Sequence, residues 1–481
     1  MTHVTRRSVL AGTAAVVLLL SACGTRVSDD RLTAAGSLGS TSVVAAQTGA
    51  QAADGTVPVT ADSPGVPTPA AAVTTGPRAG TASGITPSAA AKPGTSSAAI
   101  TTSATAADAP CTSQLAPISL GQVGAFSGFL AITLGGFRPG LAAWASEVNA
   151  RGGVQCHPIR LSQRDDGSDP ARTTSAVNSL VRDDKVVALL AADVVVTIAA
   201  YRSAATAAGM PTIGGDGIDP AWNTDPLMFP AGVASLNGFA GAIKAMVQNT
   251  GLKKMGIIHC VEASICGLIR DSIDDMAAKA GATVVTKQSA SLTQTDYTSQ
   301  CQNMKSSGAE TAFTVLDSSA VQRFFKSCAS IGFRPPTATT ALAIAPSTAA
   351  DPNVQAASVY LNSPTQPYFN TSLPVVEAFQ EVMKRYAPGA PLDQNALNAY
   401  AAGKLFEAGM AKVAAQARSG PVTTKMIMEG MNSLKNEDLD GLISVPLTFK
   451  PGPHPTAPCY FVVRIDKNGL TDLSKGRPQC L

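Results

Sequence analysis

Along residues 111–481, short apolar or alternating runs take turns with segments whose apolar residues recur at helical spacing. "APISLGQVGAF" predicts a first strand. "GLAAWASEVNARGG" then places Leu141, Ala142, Trp144, Ala145 and Val148 on one helical stripe, closed by Gly152 and Gly153. Trp144 on that stripe reads as core rather than as a cofactor contact. "HPIRLSQRDD" predicts a second strand, and "DPARTTSAVNSLVRDD" a helix with Asp169 as its cap and Pro170 at its first position. "KVVALLAA" is a continuous apolar run of the kind buried on both faces of a parallel sheet. Helix "TIAAYRSAATAAG" and strand "MPTIGG" follow.

The pattern then restarts. "KKMGIIHCV", "ATVVTKQSA" and "AETAFTVLD" predict strands, and "CGLIRDSIDDMAAKAG", "DYTSQCQNMKSSG" and "SAVQRFFKSCASIG" predict helices between and after them. Two more helical stretches, "LPVVEAFQEVMKRY" and "QNALNAYAAGKLFEAGMAKVAAQA", precede a β-rich end containing "PLTFKPG" and "CYFVVRIDKNG". Regular alternation predicts an α/β protein with mainly parallel sheets flanked by helices, and the restart predicts two lobes.

The first 110 residues have a different texture. Arg6 and Arg7 precede "SVLAGTAAVVLLL", an uncharged run of thirteen residues, and then "LSAC". That run is too short to span a bilayer as a helix and suits the apolar region of a signal peptide. "LSAC" (Leu20 to Cys23) is similar to a bacterial lipobox, so residues 1–23 are expected to be removed at a Cys23 that carries the lipid. "TRRSVL" resembles a weak twin-arginine signal, with Val9 where a stronger one has Phe. Residues 31–110 hold 62 Ala, Thr, Ser, Pro or Gly, six charged residues and no aromatic, a composition that cannot bury enough apolar surface to order itself. Residues 24–112 are therefore expected to be a flexible tether, with an end-to-end distance of roughly 50–60 Å.

Lys and Arg number 36 against 33 Asp and Glu, and no basic run exceeds two residues, which argues against a nucleic-acid surface. Of nine cysteines, Cys23 belongs to the lipobox; an even eight remain, which in an exported chain favours disulfides. Chain order suggests Cys111–Cys156, Cys260–Cys266, Cys301–Cys328 and Cys459–Cys480, though eight cysteines allow many other pairings. The four histidines (His3, His157, His259, His454) are scattered and no CxxC occurs, so neither a metal nor a cofactor is expected.

"ISLGQVGAFSGFLA", "EVNARGGVQCHPIRLSQRDDGSDPARTTSAVNSLVRDDKVVALLA", "MPTIGG", "MGIIHCVEASICGLIRDSIDDMAAKAGATVV" and "TDYTSQCQNMKSSGAETAFTVL" together resemble the type I periplasmic-binding-protein fold. They are most similar to the branched-chain-amino-acid-type substrate-binding proteins of ABC importers. "GLISVPLTFKPGPHPTAPCYFVVRIDKNG" looks like that family's closing segment. The resemblance implies a Venus-flytrap with lobe 1 at 115–232 and 364–441, lobe 2 at 233–363 and 442–481, and three crossings between them. It also implies a monomer that carries a small solute to a permease and its ATPase, and an amino-acid-type transport role.

A ligand between the lobes would meet five loops at the strand ends: 124–133, 193–197, 214–218, 261–267 and 316–319. From these the expected ligand contacts are Ser127, Val195, Thr197, Gly215, Asp216, Gly217, Ser264, Asp317 and Ser318. Helix N-termini there favour anionic or carbonyl groups. Asp216 reads equally as a turn residue, Asp317 as a helix cap and Ser127 as a turn former, while Asp165 and Asp166 read as structural or rim groups. The resemblance places hydroxyls at the positions of Val194 and Ile218, an aromatic at Cys266 and an acid near residues 340–344; none is present. A simple zwitterionic aliphatic amino acid is therefore not the expected ligand, and a small polar or mixed-polarity solute is. A flytrap that signals to a membrane partner is the alternative. A hydrolase is disfavoured, because no G-x-S-x-G, Walker A or H-E-x-x-H occurs. Gly121, Gly124 and Gly128 match no nucleotide-binding pattern.

Overall fold

The computed structural model describes residues 111–232 and 235–481. The expected signal peptide, Cys23 and all of the expected tether except Cys111 and Thr112 lie outside the described residues. No described helix is long and apolar enough to cross a membrane.

The first sheet contains β1 (Ile118–Gly124), β2 (Ile159–Asp165), β3 (Ala188–Ala192), β4 (Thr212–Gly215) and β5 (Met228–Phe229). Its order is β2-β1-β3-β4-β5, with every pairing parallel. The second sheet contains β6 (Lys254–His259), β7 (Thr283–Ser289), β8 (Thr311–Val315), β9 (Thr337–Thr340), β10 (Val359–Ser363), β11 (Cys459–Asp466) and β12 (Gly469–Asp472). Its order is β12-β11-β10-β9-β8-β6-β7, and β13 (Gln479–Cys480) pairs with β11. β6 to β10 run parallel, and the C-terminal β11, β12 and β13 join antiparallel. Each sheet with its helices forms one lobe of a two-lobed type I periplasmic-binding fold.

Local chemistry explains the helices. Helix Pro170–Arg182 starts with Asp169 accepting from the Arg172 N–H and with Pro170 at its first turn. The later helix Gln394–Lys412 returns to pack on helix Phe137–Ala150 and on β3 and β4. Close approach there needs small residues: a Cβ at Gly403 would lie 2.2 Å from the Trp144 ring, and one at Gly214 (φ +62°) 2.3 Å from Ala402. Trp144 is fully buried, donates from Nε1 to Glu407 Oε1 at 2.8 Å and meets Phe406 edge-on.

Several elements escape the sequence pattern. β5, β9 and β10 are short, and helix Ser235–Thr250, which packs on β9, β10 and β11, has no clear polar face. "PLTFKPG" forms only an isolated bridge, Glu437 to Leu447, so the strand at this end begins at Cys459. Four disulfides are present: Cys111–Cys156, Cys260–Cys266, Cys301–Cys328 and Cys459–Cys480.

The lobes are connected where 363–366 runs antiparallel to 441–444. Ser444 N donates to Pro364 O, Gln366 N to Leu442 O, and Thr365 bridges Ile443. Gln394 Nε2 donates to Thr365 Oγ1 and Gln366 O, tying this crossing to the long returning helix.

Because Trp144 anchors that helix, Trp144→Ala is expected to cost about 3–5 kcal/mol of stability, read as a lower denaturant midpoint. A loss within experimental error would show that the returning helix is held elsewhere.

Candidate functional site

In a parallel sheet the strands all end on one edge, and both sheets deliver those ends to the space between the lobes. A cavity of about 620 Å³, mouth included, lies there. One side is formed by Leu130, Thr133, Leu134, Val195, Val196 and Ile218. The other is formed by Phe239, residues of the 260–265 loop, Leu292, the ends of β8 and β9, Asp317, Leu342 and Ala343. Fourteen of the nineteen lining residues are apolar; the exceptions are Thr133, Thr314, Asp317, Thr339 and Thr340. A concave apolar site with a few convergent polar groups is the usual form of a small-molecule site.

The lobes touch beside this cavity. Ser318 N donates to Thr133 Oγ1 at 2.9 Å, joining the 131–134 turn of helix to the start of helix Ser318–Ser330. Asn395 Nδ2 donates to both Thr133 O and Leu342 O. The Cys260–Cys266 disulfide closes the loop that presents Cys260, Ala263 and Ile265 to the cavity.

Of the nine residues expected at a ligand, Val195 and Asp317 line the cavity. The other seven lie outside its wall, each for a local reason. Ser127 is exposed and donates from Oγ to Asp165 Oδ2 at 2.5 Å; Gly128 (φ +82°) lets the loop turn beside it. Asp165 also accepts from the N–H groups of Phe126, Ser127 and Gly167, and these bonds outweigh its partial burial and hold its carboxyl below the usual range. Thr197 is buried and donates to Asp166 Oδ2. Gly215 accepts from Asn398 Nδ2 through its carbonyl, and Gly217 (φ +63°) turns the chain. Ser264 is exposed at the start of its helix, between cavity residues Ala263 and Ile265. Ser318 Oγ is shared with Thr348 Oγ1 and accepts from Ala345 N.

Asp216 organises rather than faces the cavity. Its carboxylate accepts from Val194 N, Ile218 N and Trp222 Nε1, so one group staples the two loops that supply Val195, Val196 and Ile218. Burial pushes it up to about 6 against the pull of those bonds. Asp193 beside it is fully buried, and neither carboxyl oxygen has a partner. Burial first, and then the charges of Asp216 and Asp166, push its pKa well above the usual range. Among the described residues no group of three His, Cys, Asp or Glu is arranged to hold a metal.

Residues absent from the sequence-level list carry most of the wall: Leu130, Thr133, Leu134, Phe239, Leu292, Thr314, Thr339, Thr340 and Leu342. "TAFTVLD" and "TATTALA" carried one usable signal, paired threonines at the exit ends of adjacent strands.

Two parallel-sheet lobes closing on an apolar cavity at their strand ends define a cleft-type solute receptor. The chain matches the sequence pattern of the periplasmic binding protein family over residues 117–470 and belongs to that family. No curated protein sequence matches it. Among solved structures it is similar to a fatty acid ABC transporter substrate-binding protein from Thermomonospora curvata, with TM-score 0.65, 19% identity, and 74% of this chain and 91% of that one covered. A solute-binding protein from R. palustris in complex with benzoate aligns with TM-score 0.62, 17% identity and coverage of 76% and 98%. A possible leucine/isoleucine/valine-binding protein from Rhodopirellula baltica aligns with TM-score 0.64, 16% identity and coverage of 76% and 98%.

The buried acids make a sign-specific prediction. Raised carboxyl pKa values stabilise the fold fully below the ordinary value of about 4, and that contribution is lost as pH rises through the folded pKa. For Asp216 the loss runs from about 4 to about 6, and for Asp193 it extends further up. Asp193→Asn is therefore expected to gain thermal stability relative to the native chain as pH rises from mildly acidic to mildly alkaline. Parallel melting-temperature curves for the two proteins would refute the assignment of Asp193 as a neutral buried acid.

Proposed function

We propose that this protein is an extracytoplasmic, lipid-anchored solute receptor of an ABC importer. Its lobes, 115–232 with 364–441 and 233–363 with 442–481, close on a small solute of mixed polarity. The solute presents an apolar body and one polar head group. Supporting this reading above all is the interlobe cavity itself, with apolar side chains from both lobes and a polar corner at Thr314, Asp317, Thr339 and Thr340. The fatty-acid receptor and the benzoate-bound protein among the fold relatives are in keeping with an apolar body. The apolar Val194 and Ile218, in the two loops stapled by Asp216, disfavour an α-amino acid carboxylate at that wall. A permease and an ATPase would be the partners, and Cys23 would carry the lipid.

A ligand that binds only the folded protein must raise its melting temperature, by about 2.7 kcal/mol of added stability at a hundredfold excess over Kd. Thermal shift against aliphatic and aromatic acids, amines, alcohols, amides, branched-chain amino acids and sugars is expected to single out apolar-bodied compounds. Within a homologous series Kd should fall about fourfold per methylene until the cavity is filled, from about 0.8 kcal/mol per buried CH₂. A panel that leaves the protein unmoved, or preferential binding of sugars, would overturn the reading.

The anchor has its own test. Cys23→Ala is expected to move the protein from the membrane fraction to the soluble fraction without altering the binding of purified protein. Unchanged partitioning of that variant would remove the lipid anchor from the proposal.

A further inference from the structure

Two polar groups in the cavity wall do little for the fold around them. Thr314, near the end of β8, is 1% exposed, and its Oγ1 has no hydrogen-bond partner. Buried hydroxyls nearly always have one, so an orphan on a residue that lines a cavity is a candidate ligand contact. Asp317 is 5% exposed; its Oδ1 accepts from Ala320 N as a helix cap, and its own backbone N–H also acts on the carboxylate. Both residues line the same cavity. The neighbouring threonines are already occupied: Thr339 Oγ1 donates to Thr314 O, and Thr340 Oγ1 accepts from Leu342 N.

Among the described residues no Lys, Arg or His lines the cavity. Arg323 acts on Asp317 from outside the lining, and its Nε and Nη2 donate to Gln294 O and Leu292 O. Glu262 adds a second negative charge near Asp317, and its own oxygens accept from Ser291, Leu292 and Val261.

We propose that Thr314 and Asp317 form the head-group subsite of the cleft, and that it takes a protonated primary amine carried on an apolar body. This rests on the solute-receptor reading and narrows it to a chemical class. An ammonium group offers three donors and no acceptor, which matches a carboxylate and a hydroxyl lone pair. It also sets a second counter-charge beside the Asp317 carboxylate, on the cavity side, where the apolar wall strengthens the pairing. A carboxylate head would face Asp317 with no cation in the lining to offset the repulsion. The remaining wall takes the hydrocarbon.

The test uses four probes with matched chains: hexylamine, hexanol, hexanoate and norleucine, titrated calorimetrically at neutral pH into the purified protein. Hexylamine is expected to bind at least about tenfold tighter than hexanoate, the size of effect set by one unpaired buried charge. Asp317→Asn should erase that preference. Thr314→Val should weaken hexylamine while keeping the native melting temperature, because its hydroxyl bonds nothing in the fold. If hexanoate, hexanol or norleucine matches hexylamine, or if Asp317→Asn binds hexylamine as well as the native chain, the amine subsite is refuted and the receptor reading stands. If no compound in this set or the wider panel binds, both fall.

Discussion

Everything at the cleft depends on the two loops that Asp216 holds together. Its carboxylate takes the N–H of Val194 after β3 and the N–H of Ile218 after β4, and the indole of Trp222 locks it from behind. With those three donors satisfied, the loop side chains that reach the cavity are free to be apolar. A wall of Val195, Val196 and Ile218 is thus made possible by a buried acid that lies outside the cavity lining. The same device recurs beside it: Asp165 gathers the 126–127 turn and Asp166 gathers Thr173, Thr197 and the Ser168 N–H.

Asp193 stands out against this background of satisfied acids. Both of its oxygens are unpaired in a fully buried setting with two carboxylates acting on it. Burial of an ionised carboxylate without partners is costly, which holds the Asp193 pKa well above the usual carboxylate range. The first lobe therefore stores proton-dependent stability directly behind its cavity wall. The second lobe has its raised acid, Asp317, in the wall itself. One lobe uses acids as scaffolding and the other exposes one to the ligand space.

Sequence reading succeeded where the deciding physics is local. Asp169 followed by Pro170 begins a helix because the cap and the fixed φ act within one turn, and both sit where the pattern places them. The β–α alternation and its restart carried the two-sheet architecture for a similar reason, since burial on both faces leaves continuous apolar runs. β5, with two residues, and β9, "TATT", have too few positions to show a period. Helix Ser235–Thr250 packs under three strands and lacks the polar stripe that marks a helix in sequence.

The site was less legible because a polar side chain's role depends on which way it faces. Thr197, just before helix Ile198–Ala207, and Thr314, near the end of β8, both sit close to the cleft edge of a sheet, and sequence alone does not say which hydroxyl finds a partner. Thr197 found an acceptor in Asp166 and became scaffold; Thr314 found none and is left with the cavity. The difference lies in a partner from another element, 31 residues away for Thr197. A hydroxyl claimed by the fold cannot also serve a solute at full strength, because its bond would have to be given up on binding. In the proposed subsite, the polar groups best placed to discriminate ligands are therefore those the fold itself uses least.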